Sequence, residues 1–154
     1  MKSTTTDAPL TVRPIETRDR AGWEPLWKGY QTFYKTDIPA AVTETTFARF
    51  FDPAEPVHAF VAETGGRIIG IVHYIFHRST WTEGPYCYLQ DIFTAEDARG
   101  LGVGRALIEA VYAAAREQGA SRVYWLTHET NTVAMQLYDK IADRSGFVQY
   151  RKTL

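Results

Sequence analysis

Cysteine is almost absent: Cys87 is the single one in 154 residues. It excludes an internal disulfide and any cysteine-rich metal site, and it fits a reducing, cytoplasmic setting. Long apolar runs are also missing. Nothing approaches the roughly 20 residues needed to span a bilayer, and the polar stretch Met1–Pro9 lacks the apolar core of a signal peptide, so none is expected and no membrane partner is predicted. Charge of one sign is not in excess: 17 Lys and Arg face 18 Asp and Glu, a net charge of −1. That balance argues against nucleic acid as the main ligand. No internal repeat, low-complexity tract or Pro/Gly/Ser-rich linker interrupts the chain. One domain over residues 1–154 is the economical reading.

What the sequence does have is 45% apolar residues, enough for a hydrophobic core. Leu10–Ile15 reads as a first strand. Thr17 and Asp19 are placed to cap a helix reaching toward Tyr34, with Trp23, Leu26, Trp27, Tyr30 and Phe33 at helical spacing. Pro25 fits that helix only in its first turn and otherwise kinks it. Thr43 is placed to cap a short second helix bearing Phe47, Phe50 and Phe51. Val57–Glu63 and Arg67–Phe76 are strand-like around the Gly65-Gly66 turn, a β-hairpin signal, and Tyr86–Phe93 follows as another strand. The period then switches. Val103, Ala106, Leu107, Ala110, Val111 and Ala114 form a helical stripe closed by Gly119. Arg122–Thr127 reads as a strand, Asn131 as the cap of a helix bearing Ala134, Leu137, Tyr138 and Ile141, Ser145-Gly146 as its stop, and Phe147–Lys152 as a final strand. The order predicts an α/β fold, a mixed sheet with helices over its faces.

The most informative stretch is Arg99-Gly100-Leu101-Gly102-Val103-Gly104-Arg105, between a strand and a helix. Glycines let the backbone turn tightly and approach a ligand closely. The free N–H groups and dipole of the following helix suit a phosphate. A simple connecting loop is the plain alternative. The dinucleotide fingerprint fits poorly, because Arg105 stands where its third glycine belongs, and a nucleotide phosphate loop needs Gly-Lys-Ser/Thr.

With Arg99, Gly102 and Gly104 in place, the chain resembles the GNAT N-acetyltransferase superfamily. The strand Leu89-Gln90-Asp91-Ile92-Phe93-Thr94 and the downstream set Asn131, Ala134, Leu137, Tyr138, Gly146 and Phe147 carry the same resemblance, which covers nearly the whole chain. Within the family it is nearest to the diamine/polyamine and fungal histone/polyamine acetyltransferase-like group. The resemblance implies a GNAT fold, a mostly antiparallel twisted sheet splayed by a bulge. It implies acetyl-CoA as co-substrate, with Ile92, Phe93 and Thr94 along the pantetheine arm and Gly100, Leu101, Gly102, Val103, Gly104 and Arg105 at the pyrophosphate. Asn131 would lie near the thiol end, and Tyr138 would be the general acid. The acceptor would be a small-molecule amine attacking the thioester directly; a homodimer is common among such proteins.

Two departures stand out. Polyamine relatives place a glutamate where this chain has Gln90, which cannot accept a proton at neutral pH. Asp91 is adjacent, yet strand alternation points it to the other face unless a bulge re-aims it. His128 has a suitable unperturbed pKa, and a water relay would remove the need for one base. The interval from Tyr138 to Gly146 is also about one helical turn longer than the common pattern, so Asp139–Ser145 is expected to extend the last helix. Tyr34, near the end of the first helix, is a candidate acceptor contact, as are Trp27, Tyr30, Asp37 and Glu83; Trp27 and Tyr30 also read as core. His58, His73 and His77 have no metal-ligand spacing and read as structural, and no metal is expected. The other functional readings are a protein or peptide acetyltransferase and a non-catalytic acetyl-CoA-binding module.

Overall fold

The computed structural model describes residues 8–154; the expectation for Met1–Pro9 falls outside it over residues 1–7. Among the described residues one sheet runs in the order β1-β2-β3-β4-β5. Its strands are β1 (Thr11–Pro14), β2 (Val57–Thr64), β3 (Arg67–His77), β4 (Tyr86–Thr94) and β5 (Val123–Tyr124). The first four pair antiparallel and β5 joins β4 in parallel. The helices are α1 (Arg20–Phe33), α2 (Ala40–Arg49), α3 (Val103–Glu117) and α4 (Thr132–Ile141). The Gly65-Gly66 turn between β2 and β3 has φ of 56° and 79°, the left-handed pair that a two-residue hairpin demands.

Helices cover both faces, and β3 shows how. A Cβ on Gly70 would lie 2.6 Å from Val103 and 3.1 Å from Leu107, so α3 packs directly on that backbone. On the opposite face His73 meets Trp23 of α1 and Phe50 beyond α2. A Cβ on Gly29 would stand 2.7 Å from the Phe93 ring, which brings α1 equally close to β4. Trp23, Val61, Val72, Leu107, Ile108 and Val111 are all sealed from solvent. α3 ends as its glycine predicts: Gly119 N–H reaches Arg116 O (3.1 Å) and Ala120 N–H reaches Ala115 O (2.9 Å), the Schellman pattern.

Several expectations need correction. Pro25 lies inside α1 rather than in its first turn, so the Ala21 carbonyl lacks the N–H it would otherwise bind. Asp19 precedes α1 without capping it by its side chain. Its carboxylate instead takes two Arg13 N–H bonds (2.8 and 2.9 Å) and the Glu16 N–H (2.7 Å). Thr43 sits within α2, which starts after Pro39, and its hydroxyl accepts the Trp27 indole N–H at 3.3 Å. Asn131 does occupy the N-cap position of α4, but its amide donates to the Thr127 hydroxyl (3.3 Å) instead of capping. The strand expected over Arg122–Thr127 shrinks to Val123–Tyr124. α4 stops at Ile141, so of Asp139–Ser145 only Asp139–Ile141 is helical; the chain turns extended at Ala142. Phe147–Lys152 joins no strand, because strand composition needs a partner edge as well as the right residues.

Candidate active site

The register of β4 against β3 creates the site. His73 pairs with Asp91, and the next β3 residue, Tyr74, pairs with Leu89, so Gln90 is the extra residue of a bulge. Without it Leu89 and Asp91 would share a face. With it Leu89 follows Tyr74 toward α3, and Asp91 follows His73 toward α1. Gln90 itself is exposed. On the far side of β4, β5 pairs only at Cys87↔Val123 and Tyr88↔Tyr124. From Leu89 onward, including Ile92, Phe93 and Thr94, the outer edge of β4 carries no strand. The two parallel strands therefore open into a cleft.

Asp91 anchors the α1 side of that cleft. The Trp23 indole N–H donates to His73 Nε2 at 3.0 Å. Indole is a donor only, so Nε2 must accept and the ring proton sits on Nδ1, from where it donates to Asp91 Oδ2 at 3.0 Å. All three side chains are buried. Tyrosines surround the carboxylate. Burial and then the Asp91 charge push the Tyr30 hydroxyl well above its ordinary range; Tyr34 is raised by the same two causes, and Tyr88 by burial, Asp91 and Tyr124. The Tyr30 and Tyr34 rings lie 4.8 Å apart. Tyr138, on α4, is pushed up to about 12 by burial and by Tyr34. At neutral pH the Tyr138 phenol holds its proton, the form a general acid requires.

The glycine turn forms the other wall. Gly100 and Gly102 have φ of 84° and 79°, and Gly102 is the N-cap of α3. The first intrahelical bond runs from Ala106 N–H to Gly102 O (3.1 Å). It leaves the N–H groups of Val103, Gly104 and Arg105 without a helical acceptor, and no side chain caps them. Open space surrounds the positions that Cβ atoms would take at Gly100 and Gly102. Arg99 lies over the Phe93 ring at 5.4 Å and donates to Thr94 O at 3.3 Å, which ties the turn to β4. Leu101 is exposed. α4 docks against this helix start: Leu137 comes within 3.7 Å of a Cβ built on Gly104. The Tyr112 hydroxyl donates to Ile141 O at 2.9 Å, and Trp125 meets Tyr138 edge-on at 5.3 Å. Free N–H donors at a helix start and an unpaired strand edge fit a diphosphate joined to an amide-bearing arm.

Not every candidate joins this cluster. His128 is exposed and its Nδ1 accepts from the Thr130 hydroxyl (2.7 Å) and backbone N–H (3.2 Å). Two residues read as ordinary core belong to the site's frame. Trp23 and His73 together fix the orientation of Asp91. The available signal was a lone histidine inside the otherwise apolar β3 run, one residue before the bulge.

Residues 23–142 match the family described as Acetyltransferase (GNAT) family. A D-amino-acid N-acetyltransferase, HPA3 of Saccharomyces cerevisiae, is 43% identical over 146 residues, covering 93% of this chain and 90% of the relative. A thialysine N-epsilon-acetyltransferase of Caenorhabditis elegans is 31% identical over 55% of this chain and 52% of its own length. Among solved structures, the aminoglycoside N-acetyltransferase AAC(6')-Iy in complex with CoA aligns with a TM-score of 0.81 over 95% of both chains, at 18% identity. The family match and the yeast relative define an acyl-transfer protein, and the chain belongs to the GNAT acetyltransferase family. It is an N-acetyltransferase, and acetyl-CoA is the acetyl donor used by that family. No helix among the described residues is long and apolar enough to cross a membrane.

Proposed function

We propose that this chain, as a single domain, acetylates the primary amine of a small cationic molecule by direct attack. An amino acid, diamine, polyamine or drug-like amine would serve. The carrying observation is the placement of Asp91. The bulge at Gln90 turns this buried carboxylate toward α1, where the Tyr30 and Tyr34 rings lie 4.8 Å apart and its charge helps raise both hydroxyls. The D-amino-acid activity of the yeast relative supports a small amine. A reducing, cytoplasmic workplace and a homodimer belong to the same reading.

Acetyl-CoA supplies the activated thioester. The residues do the rest. The Val103, Gly104 and Arg105 N–H groups bind the pyrophosphate, with Arg99, Gly100, Leu101 and Gly102 shaping the turn. Ile92, Phe93 and Thr94 offer ladder groups to the pantetheine arm. Asn131 borders its thiol end. Asp91, oriented by His73, draws in the acceptor ammonium and takes its proton, so that the neutral amine can attack. Tyr30, Tyr34 and Tyr88 hold the amine by their faces and hydroxyls. Tyr138 donates a hydrogen bond, and finally a proton, to the departing sulfur.

Turnover with a panel of amines, read by mass spectrometry of the acetylated product, tests the reaction. Tyr138→Phe should lower kcat by about 10²–10⁴-fold while calorimetry shows unchanged acetyl-CoA affinity; full activity would remove the hydroxyl from the mechanism. Asp91→Asn should raise KM for cationic acceptors more than it changes acetyl-CoA affinity. An unchanged KM and pH profile would exclude Asp91 as the amine's partner. Tight acetyl-CoA binding without turnover of any amine would defeat the catalytic reading.

A further inference from the structure

The face of the sheet that carries Asp91 continues past it. The register that sends His73 and Asp91 toward α1 sends Ile75 with Tyr88, and His77 with Tyr86, to the same face. Tyr124 of β5 pairs with Tyr88, and the two rings stack at 5.0 Å with 18° between their planes. Tyr86, Tyr88 and Tyr124 are only half-buried. The outer ring is nevertheless fixed. His77 Nδ1 faces the Arg78 carbonyl at 2.8 Å, to which it can only donate, so Nε2 of the neutral ring accepts from the Tyr124 hydroxyl at 2.7 Å. The phenol spends its proton on the histidine, and the ring pair is left as a shelf beside Asp91.

Charge is distributed unevenly along this strip. Past Asp91 its strand residues are Ile75, His77, Tyr86, Tyr88, Tyr124 and Arg122, with no carboxylate among them. The Arg122 guanidinium lies over the Tyr86 ring at 4.2 Å and stands 6.0 Å from the exposed Trp81 ring. It forms no ion pair among the described residues. Strand geometry supplies the scale. Tyr88 pairs two residues along β3 from His73, about 7 Å from Asp91, and the Tyr86 and Arg122 level lies about 13 Å from it. An ammonium held at Asp91 therefore has aromatic rings one body-length away and an unneutralised positive charge at two.

We propose that the acceptor is a monoamine bearing an aromatic ring, with its amine at Asp91 and its ring against the Tyr88–Tyr124 pair, and that Arg122 rejects polyamines. The assignment rests on the functional reading above and narrows it to one class of amine. Both halves of the selection are physical. A third ring continues the stack or meets its edges, a contact that an alkyl chain of equal length does not reproduce. A polyamine that places one ammonium at Asp91 brings another toward the guanidinium, and no second carboxylate stands on the strip to receive it. Rejection by a like charge is as much a part of specificity as attraction. Tyr124 and Arg122 are thus specificity-determining residues of the acceptor side.

The test is kcat/KM of the full chain with acetyl-CoA for three acceptors: phenethylamine, hexylamine and spermidine. Phenethylamine should lead hexylamine by about 2- to 10-fold, and spermidine should be the poorest. Tyr124→Leu should shrink the phenethylamine-to-hexylamine ratio by about 2- to 10-fold. Arg122→Gln, a change at an exposed position, should raise spermidine relative to phenethylamine by about 2- to 5-fold. Circular dichroism checks that Tyr124→Leu keeps its native helix content; if it does not, the Arg122→Gln ratio and the wild-type ranking decide. Turnover led by spermidine or hexylamine, or ratios that neither folded variant moves, would overturn the aromatic assignment while leaving amine acetylation intact. Silence with all three amines would remove the functional reading, and this proposal with it.

Discussion

On the α1 face of the sheet, Trp23, Val61 and Ile71 are closed to solvent, whereas α4, which carries Tyr138, has no fully buried residue. The first region places Asp91 through a buried chain of two hydrogen bonds. The second is held by Leu137 against α3, by Tyr138 against Trp125 and by one hydroxyl bond from Tyr112. The cleft opens along the seam between them. An acceptor must meet a fixed carboxylate, and a frame of interlocked rings supplies that. The α4 side is the more exposed of the two, and weakly buried elements are the first to open. One sheet thus carries a densely buried wall and a lightly buried one.

The largest expected contrast is in stability. Ile71→Ala, at a buried position on the α1 face, should cost about 3 kcal/mol. Val133→Ala, at 81% exposure on α4, should stay within about 0.5 kcal/mol. Comparable losses in urea unfolding would erase the distinction between the two regions. Next in size is Asp19→Asn, which leaves the poorly exposed Arg13 with Glu63 and the longer contact to Glu16 and should cost about 2 kcal/mol at neutral pH. Its pH dependence sharpens the point. The hydrogen bond from Arg13 holds the Asp19 carboxyl below its ordinary value. Its stabilisation is therefore complete above the usual carboxylate range and is lost as pH falls through the lowered folded value. The gap between wild type and variant should close in acid; a constant gap would contradict the ion-pair account. The smallest effect lies at the seam. Gly102→Ala forces a Cβ onto a left-handed residue and should cost about 1 kcal/mol together with acetyl-CoA affinity. Gly104→Ala, whose Cβ would meet only Leu137 at an ordinary 3.7 Å, should be nearly silent in unfolding. Equal behaviour of the pair would mean that the turn's backbone geometry is not what binds.

The elements that local signals specify were legible from the residues. The Gly65-Gly66 hairpin, the α3 stripe with its Gly119 stop and the glycine turn at its start all lie where spacing and turn chemistry place them. What escaped depends on pairing between distant segments. The direction of Asp91 is set by one unpaired residue, Gln90, and no pattern within β4 announces a bulge. Thr43 looks like a cap until the Trp27 indole from another helix reaches it. His73 was expected to be satisfied and is; what the sequence conceals is that its partners make it part of the site's frame. Phe147–Lys152 has the residues of a strand, but composition does not name the edge it should join.

Cys87 has a practical consequence. It is wholly buried, and burial pushes its thiol up to about 12, so at neutral pH it offers almost no thiolate for a disulfide reagent to trap. Acetyl transfer liberates free CoA-SH. A chromogenic disulfide such as Ellman's reagent, added to the native enzyme, would therefore colour in proportion to catalysis alone, and a slow late rise in absorbance would mark the moment the fold opens.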